Sequence, residues 1–64
     1  MRYRVEKVKG SRYYQIVKVR DGRPYSSMQF DEKKKALKYC AGLEGIDFKE
    51  YMKMYRREMR NENE

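Results

Sequence analysis

The fold is decided by residues 12–30, which read RYYQIVKVRDGRPYSSMQF. The first part, residues 12–20, is rich in β-branched and aromatic side chains, which favour a β-strand. Asp21-Gly22 follows, and this dipeptide is typical of a two-residue hairpin turn in which both central residues adopt positive φ. Tyr25–Phe30 then predicts another strand, with Pro24 tolerated at its start. The stretch therefore predicts an antiparallel hairpin.

The residues before this stretch predict one more strand. Tyr3–Val8 is again rich in β-branched and aromatic side chains, and Lys9-Gly10-Ser11 separates it from the next strand as a turn. Together the three segments predict a three-stranded antiparallel sheet, with strands at about residues 2–8, 12–20 and 24–30.

A helix is predicted directly after the sheet, at about residues 32–43. Asp31 is a suitable N-cap, and Gly42 and Gly45 are suitable for ending the helix. Four small or apolar residues recur at helical spacing and predict the face that packs on the sheet. They are Ala36, Leu37, Cys40 and Ala41.

A second helix is predicted at about residues 48–60. Asp47 can cap it, and Glu50 stands three positions later, as in a capping box. The predicted fold class is thus α+β, a three-stranded antiparallel sheet packed on one face by a helix and followed by a second helix. We expect one domain over residues 1–64, with a basic sheet at 1–30, a helical part at 31–60 and a frayed tail at 61–64.

Side-chain alternation assigns the two faces of the predicted sheet. The more apolar phase of the central strand holds Tyr13, Gln15, Val17 and Val19, and it is expected to face the helix together with Tyr3, Val5, Met28 and Phe30. The opposite face is expected to be basic, aromatic and hydrogen-bonding. Its candidate DNA-binding residues are Arg2, Arg4, Arg12, Tyr14, Lys18, Arg20, Arg23, Tyr25 and Gln29.

Charge is concentrated in the predicted sheet. Residues 1–30 hold eight Lys and Arg against Glu6 and Asp21, a net of +6 out of +7 for the chain. Such asymmetry indicates a polyanionic partner. Arginine and lysine neutralise phosphates, arginine can also fork onto guanine, and glutamine can pair with adenine in the major groove. The sequence therefore favours a DNA-binding sheet face, and a merely solvated basic face is the alternative.

The run Tyr13–Arg20, followed by Asp21-Gly22 and by Phe30-Asp31 leading to Ala36 and Tyr39, resembles two known groups of domains. These are the DNA-binding domains of plant ethylene-response factors and the N-terminal arm-site domains of tyrosine recombinases. The resemblance covers roughly residues 3–43 and implies a three-stranded sheet, backed by a helix, that lies in the major groove. It implies DNA-facing positions at Arg12, Tyr14, Lys18, Arg20 and Arg23, in a free-standing excisionase-like or mobile-element module. The chain has no tryptophan, and a second capped helix is not part of this pattern.

Other classes of function are disfavoured by residue content. With no histidine and one cysteine, a zinc site is not expected, and no cofactor is. Asp47 and Glu50 are explained by capping, so no catalytic residues are expected and the chain is not predicted to be an enzyme. The single Cys40 favours a reducing, cytoplasmic compartment. Neither a membrane-spanning run nor a signal peptide is expected.

The sequence does not decide what the second helix packs against. Its apolar stripe is predicted to contain Phe48, Met52 (or Tyr51), Tyr55 and Met59. That stripe can close the protein's own core, or it can form a homodimer or a hetero-interface. The rival functional hypothesis follows from the second case, a small interaction protein of viral or plasmid origin that binds and inhibits an acidic host protein.

Overall fold

The structure, a computed structural model, describes residues 1–62, with side chains described as far as residue 57. The elements in chain order are β1 (Tyr3–Lys7), β2 (Tyr14–Lys18), α1 (Lys33–Glu44) and α2 (Phe48–Glu62). The α+β class and both predicted helices are confirmed. Of the predicted tail, residues 61 and 62 belong to α2, and residues 63 and 64 lie outside the described residues. Within residues 1–62, no helix has the length and apolar character needed to cross a membrane.

The predicted third strand is wrong, because residues 24–30 contact β2 only through two isolated bridges. Near the first bridge the Tyr25 amide donates to the Ile16 carbonyl at 2.8 Å, and at the second Tyr14 and Phe30 exchange two hydrogen bonds of 2.8 Å. Between them the Ser26 hydroxyl accepts the Met28 amide at 3.1 Å. A serine side chain thus competes with the ladder for a backbone donor, and the segment bends away from β2.

The two-residue turn at Asp21-Gly22 is also wrong. Glycine alone adopts positive φ among the described residues, so Asp21 does not have the conformation that a type I′ turn requires. Its carboxylate instead accepts the Arg23 amide at 2.9 Å. The Gly22 amide donates to the Lys18 carbonyl at 2.7 Å, which closes a four-residue loop over residues 19–22.

The faces of β2 are the reverse of those predicted. The register pairs Val5 with Ile16 and Tyr3 with Lys18, whereas a three-residue first turn would have paired Val5 with Gln15. The turn is one residue longer than predicted, and a one-residue slip moves every side chain of a strand to the other face. The observed register places Ile16 against the helices and keeps the Gln15 amide out of the core, where its desolvation would be costly.

This reversal corrects several face assignments. Tyr3, Val5 and Phe30 pack against the core as predicted. Val17 is buried, but it lies on the opposite face of β2 from Ile16. Three residues predicted to face the helix are exposed instead, namely Tyr13, Val19 and Met28.

The core lies between the hairpin and the two helices. Its buried cluster comprises Ile16, Leu37, Cys40, Ala41 and Tyr51, and the four predicted α1 positions are all buried. Of the two candidates in the first turns of α2, Tyr51 is the fully buried one, at 0% exposure. Phe48, Met52 and Tyr55 pack around the same cluster, and the side chain of Met59 lies outside the described residues. The described part of the α2 stripe therefore closes the protein's own core.

Caps are found at the end of α1 and at the start of α2, whereas Glu32 at the start of α1 makes no side-chain cap hydrogen bond. The N-cap of α1 is Glu32 rather than Asp31, and Asp31 accepts a hydrogen bond from Lys35 Nζ at 3.1 Å instead. Asp47 accepts the Lys49 amide at 3.1 Å, as a cap of α2 should. Gly45 ends α1 in the left-handed region, with φ of 74°.

Two glycines of α1 are expected to respond oppositely to alanine. Gly45→Ala should destabilise the protein by about 1–2 kcal/mol, because a Cβ is strained at positive φ. Gly42→Ala should stabilise it by up to about 1 kcal/mol, because Gly42 is an exposed interior helix residue with open space around its Cα. Urea unfolding of both variants measures the difference. Equal effects at the two positions would contradict the assigned end of α1.

Candidate nucleic-acid interface

The nine candidate DNA-binding residues do not share one face of the sheet. Tyr14 and Lys18 lie on the same side of β2 as Ile16, facing the helices, so the predicted outer-face cluster is wrong. Tyr25 contacts Tyr3 edge-to-face at 5.4 Å between ring centroids. Seven of the nine residues instead divide between the two ends of the hairpin, and Arg4 and Tyr25 lie between the ends.

Four of the nine lie where β1 begins and β2 ends, and we call Arg2, Lys18, Arg20 and Arg23 the basic end. Register brings them together, because Tyr3 pairs with Lys18 and the Val19 amide donates to the Arg2 carbonyl at 3.0 Å. The Lys18 amide donates to the Arg23 carbonyl at 2.9 Å, which brings the third segment alongside.

An apolar depression lies within the basic end. It has a volume of about 310 Å³, and its walls are formed by Met1, Arg2, Tyr3, Lys18, Val19 and Arg20. Val19 is 48% exposed there. The depression thus combines an apolar floor with a cationic rim.

The carboxylates near the basic end neutralise little of its charge. Lys18 Nζ lies 3.7 Å from the Asp21 carboxylate, a pair that is about half exposed and therefore weak. Glu44 Oε2 is used by backbone groups, accepting the Arg2 amide at 2.8 Å and the Tyr3 amide at 3.3 Å. The guanidinium groups of Arg2, Arg20 and Arg23 form no ion pair with any residue whose side chain is described.

The other end of the hairpin carries Arg12, Tyr14 and Gln29, beside the start of α1. We call this the turn end. Arg12 lies over the ring of Tyr13, 5.7 Å from its centroid, and Gln29 is exposed next to the bridge between Tyr14 and Phe30. Val8 and Ser11 form a turn in which Gly10 has φ of 77°.

Lysines at the start of α1 extend the turn end. Lys33 Nζ lies 5.5 Å from the centroid of the Tyr55 ring, and a hydrogen bond to Tyr55 raises the pKa of Lys33. Lys35 is paired with Asp31 and Glu32, and its hydrogen bond lowers the pKa of the Asp31 carboxyl. Lys35 is therefore the least available cation of the run Lys33-Lys34-Lys35.

The outer face of the sheet, which sequence patterning assigned to DNA, has mixed character. Arg4 is there, but its guanidinium forms an ion pair with Glu6 two residues on. Gln15 and the buried Val17 complete this face of the hairpin. Among the described residues, no group of three or more His, Cys, Asp or Glu side chains is placed to hold a metal ion.

Sequence reasoning missed Glu44 at the basic end. Its carboxylate reaches back across 42 residues to the Arg2 amide, and no local pattern in the sequence indicates such a contact. The comparisons place the chain in no known group, since no family model, curated protein or solved structure matches it.

Proposed function

We propose that this chain is a small DNA-binding module that contacts the phosphates of the duplex through the two ends of its hairpin. The observation that carries the proposal is the basic end, where Arg2 and Arg20 line one depression, Arg23 lies beside Lys18, and none of the three guanidinium groups pairs with a carboxylate within residues 1–57. Guanidinium groups bind phosphate oxygens bidentately, and each phosphate contact releases counterions from the duplex. A cluster of unpaired arginines is therefore suited to a polyanionic backbone.

The spacing of the two ends supports one binding mode. Four residue steps along β2, from Tyr14 to Lys18, span roughly 13 Å at about 3.3 Å per residue. The major groove is about 12 Å wide. A hairpin that lies across the groove has one cationic end near each flanking phosphate strand. Because these contacts are to phosphates, we expect binding that tolerates many sequences.

Replacing the three unpaired arginines tests the proposal. The combined variant Arg2→Ala, Arg20→Ala and Arg23→Ala should bind duplex DNA at least about tenfold more weakly at low salt. The slope of log K against log salt should become shallower by about 2–3, since each phosphate contact contributes about 0.9. Fluorescence anisotropy over a salt series measures both quantities.

A matched control removes the same charge from elsewhere. Lys49, Lys53 and Arg56 are exposed on α2, so their combined replacement by alanine also lowers the net charge by three. We expect this variant to keep the parent's slope and most of its affinity. If the two triple variants lose affinity equally, only net charge matters and the basic end is not the binding site.

The second candidate is binding to an acidic protein, and the apolar depression is the observation that favours it. Protein partners insert apolar or aromatic anchors into such pockets, whereas a phosphate backbone has none to insert. Titration with duplex DNA, heparin and polyglutamate at equal anionic charge separates the two candidates. Tightest binding to duplex DNA supports the DNA module, and tightest binding to polyglutamate supports the protein partner.

A further inference from the structure

Within residues 1–62, one side of β1 has no strand beside it. In an antiparallel ladder, alternate residues direct their backbone groups to the partner strand. The Val8 amide donates to the Tyr13 carbonyl at 2.8 Å, so Val8 directs its backbone groups towards β2. Glu6 and Arg4, two and four residues earlier, therefore also form their hydrogen bonds with β2. The remaining residues of β1 direct their amides and carbonyls to the open side. They are Tyr3, Val5 and Lys7.

Within residues 1–57, one hydrogen bond reaches the open edge of β1, although α1 packs beside this strand. The Tyr3 amide is taken by Glu44 at 3.3 Å, and no other hydrogen bond to the edge is found within residues 1–57. The Tyr3 carbonyl, both backbone groups of Val5 and the Lys7 amide are then available to another strand. A row of unpaired backbone groups is a template for strand addition.

The sequence of β1 is complementary to itself in the antiparallel direction. When two copies are aligned with Val5 opposite Val5, Arg4 of each copy is opposite Glu6 of the other, and Tyr3 is opposite Lys7. Residues directly opposite share a face and interact, and opposite charges there are favourable. The same alignment places Val5 in a hydrogen-bonded pair, which its outward-pointing backbone groups require.

We propose that the open edge of β1 pairs with the same edge of a second copy, giving a two-fold symmetric dimer with a continuous four-stranded sheet. The two copies exchange two hydrogen bonds at Val5, and the Lys7 amide of each donates to the Tyr3 carbonyl of the other. For the Tyr3 amide to reach the Lys7 carbonyl of the other copy, Glu44 releases its 3.3 Å contact with that amide and keeps the 2.8 Å hydrogen bond to the Arg2 amide. The charge complementarity of Arg4 and Glu6 selects a second copy over an unrelated strand.

The proposal gives self-association a different surface from the one that sequence patterning predicts. Phe48, Met52 and Tyr55 of α2 pack against the protein's own core. The edge of β1, in contrast, has backbone donors and acceptors for which residues 1–57 provide no partner. The dimer does not depend on DNA binding, and its test requires no nucleic acid.

Two charge-reversal variants test the pairing. Glu6→Arg places arginine opposite arginine across the two-fold axis, and Arg4→Glu places glutamate opposite glutamate. Each variant alone should dimerise at least about tenfold more weakly than the parent, because two attractive pairs become repulsive. Both side chains are substantially exposed, at 58% for Arg4 and 39% for Glu6, so the monomer fold should tolerate the changes. Sedimentation equilibrium over the micromolar range measures the masses.

An equimolar mixture of the two variants tests directly whether Arg4 and Glu6 pair between chains. Arginines of one variant then face glutamates of the other, so a heterodimer should form with about the parent's affinity. Neither variant contains the intrachain Arg4–Glu6 pair, so recovery in the mixture arises only from pairing between chains. A parent that is monomeric at every concentration overturns the proposal. So does a parent dimer that both reversals leave intact, because assembly then uses another surface.

Discussion

Tyr51→Ala is expected to remove a large part of the protein's stability at 25 °C. Tyr51 is the largest fully buried side chain, and it contacts the cluster in which Leu37 and Cys40 also lie. Truncating a buried aromatic side chain costs about 3–5 kcal/mol. At about 0.05–0.15 kcal/mol per residue, a domain of this length has only about 3–10 kcal/mol of stability to lose. Thermal unfolding followed by circular dichroism measures the effect.

Two companion variants show that the effect comes from buried apolar contact. Met54→Ala on the same helix should change stability by less than about 0.5 kcal/mol, since Met54 is 38% exposed. Tyr51→Phe should be neutral or should stabilise by up to about 1 kcal/mol, because the buried Tyr51 hydroxyl has no hydrogen-bond partner among the described side chains. A clear loss in Tyr51→Phe would show that the hydroxyl donates to the neighbouring Cys40 sulfur.

The chemistry of this pair also explains how the core accommodates two ionisable groups. Burial raises the pKa of the Tyr51 hydroxyl and of the Cys40 thiol. Both groups are therefore neutral at pH 7, and neither places a charge in the core. Cys40 should react slowly with thiol reagents in the parent and rapidly in Tyr51→Ala, which gives an independent measure of unfolding.

Local patterns were sufficient to predict the helices. Helical spacing of small and apolar residues located the buried face of α1, and Asp47 marked the start of α2. These signals act within a few residues, so they do not depend on how the rest of the chain folds. Asp31 illustrates the limit. Lys35 pairs with both Asp31 and Glu32, and the helix begins after Glu32, one residue later than the capping preference of Asp31 predicts.

The sheet could not be predicted to the same depth, because its faces depend on the length of a turn. Lys9-Gly10-Ser11 predicts a three-residue turn, and the observed turn is one residue longer. Both phases of β2 contain a residue that is buried, Ile16 in one and Val17 in the other, so hydrophobicity alone did not choose between them. One residue of turn length therefore decided which side chains became the outer face.

The incorrect faces of β2 also made the predicted arrangement of the candidate site wrong. Composition located the positive charge correctly in the first 30 residues, since charge needs no register. The arrangement of that charge depends on the lengths of both turns, and both turns are longer than predicted. Arg2, Lys18 and Arg20 consequently gather around a depression at one end of the hairpin rather than along a face. DNA binding therefore stays a proposal, and the proposed contacts are at the two ends of the hairpin rather than on one face of the sheet.

Ile16→Ala is the variant that tests the reversed face of β2. Ile16 is 3% exposed and belongs to the cluster with Leu37 and Tyr51, so its truncation should cost about 2–4 kcal/mol. Gln15→Ala, one residue earlier on the opposite face, should change stability by less than about 0.5 kcal/mol. Urea denaturation of the two variants side by side gives the comparison. The originally predicted phase requires the opposite order, because it exposes Ile16 and buries Gln15 against α1. A cost for Ile16→Ala no larger than that for Gln15→Ala would restore that phase and place Tyr14 and Lys18 on the outer face.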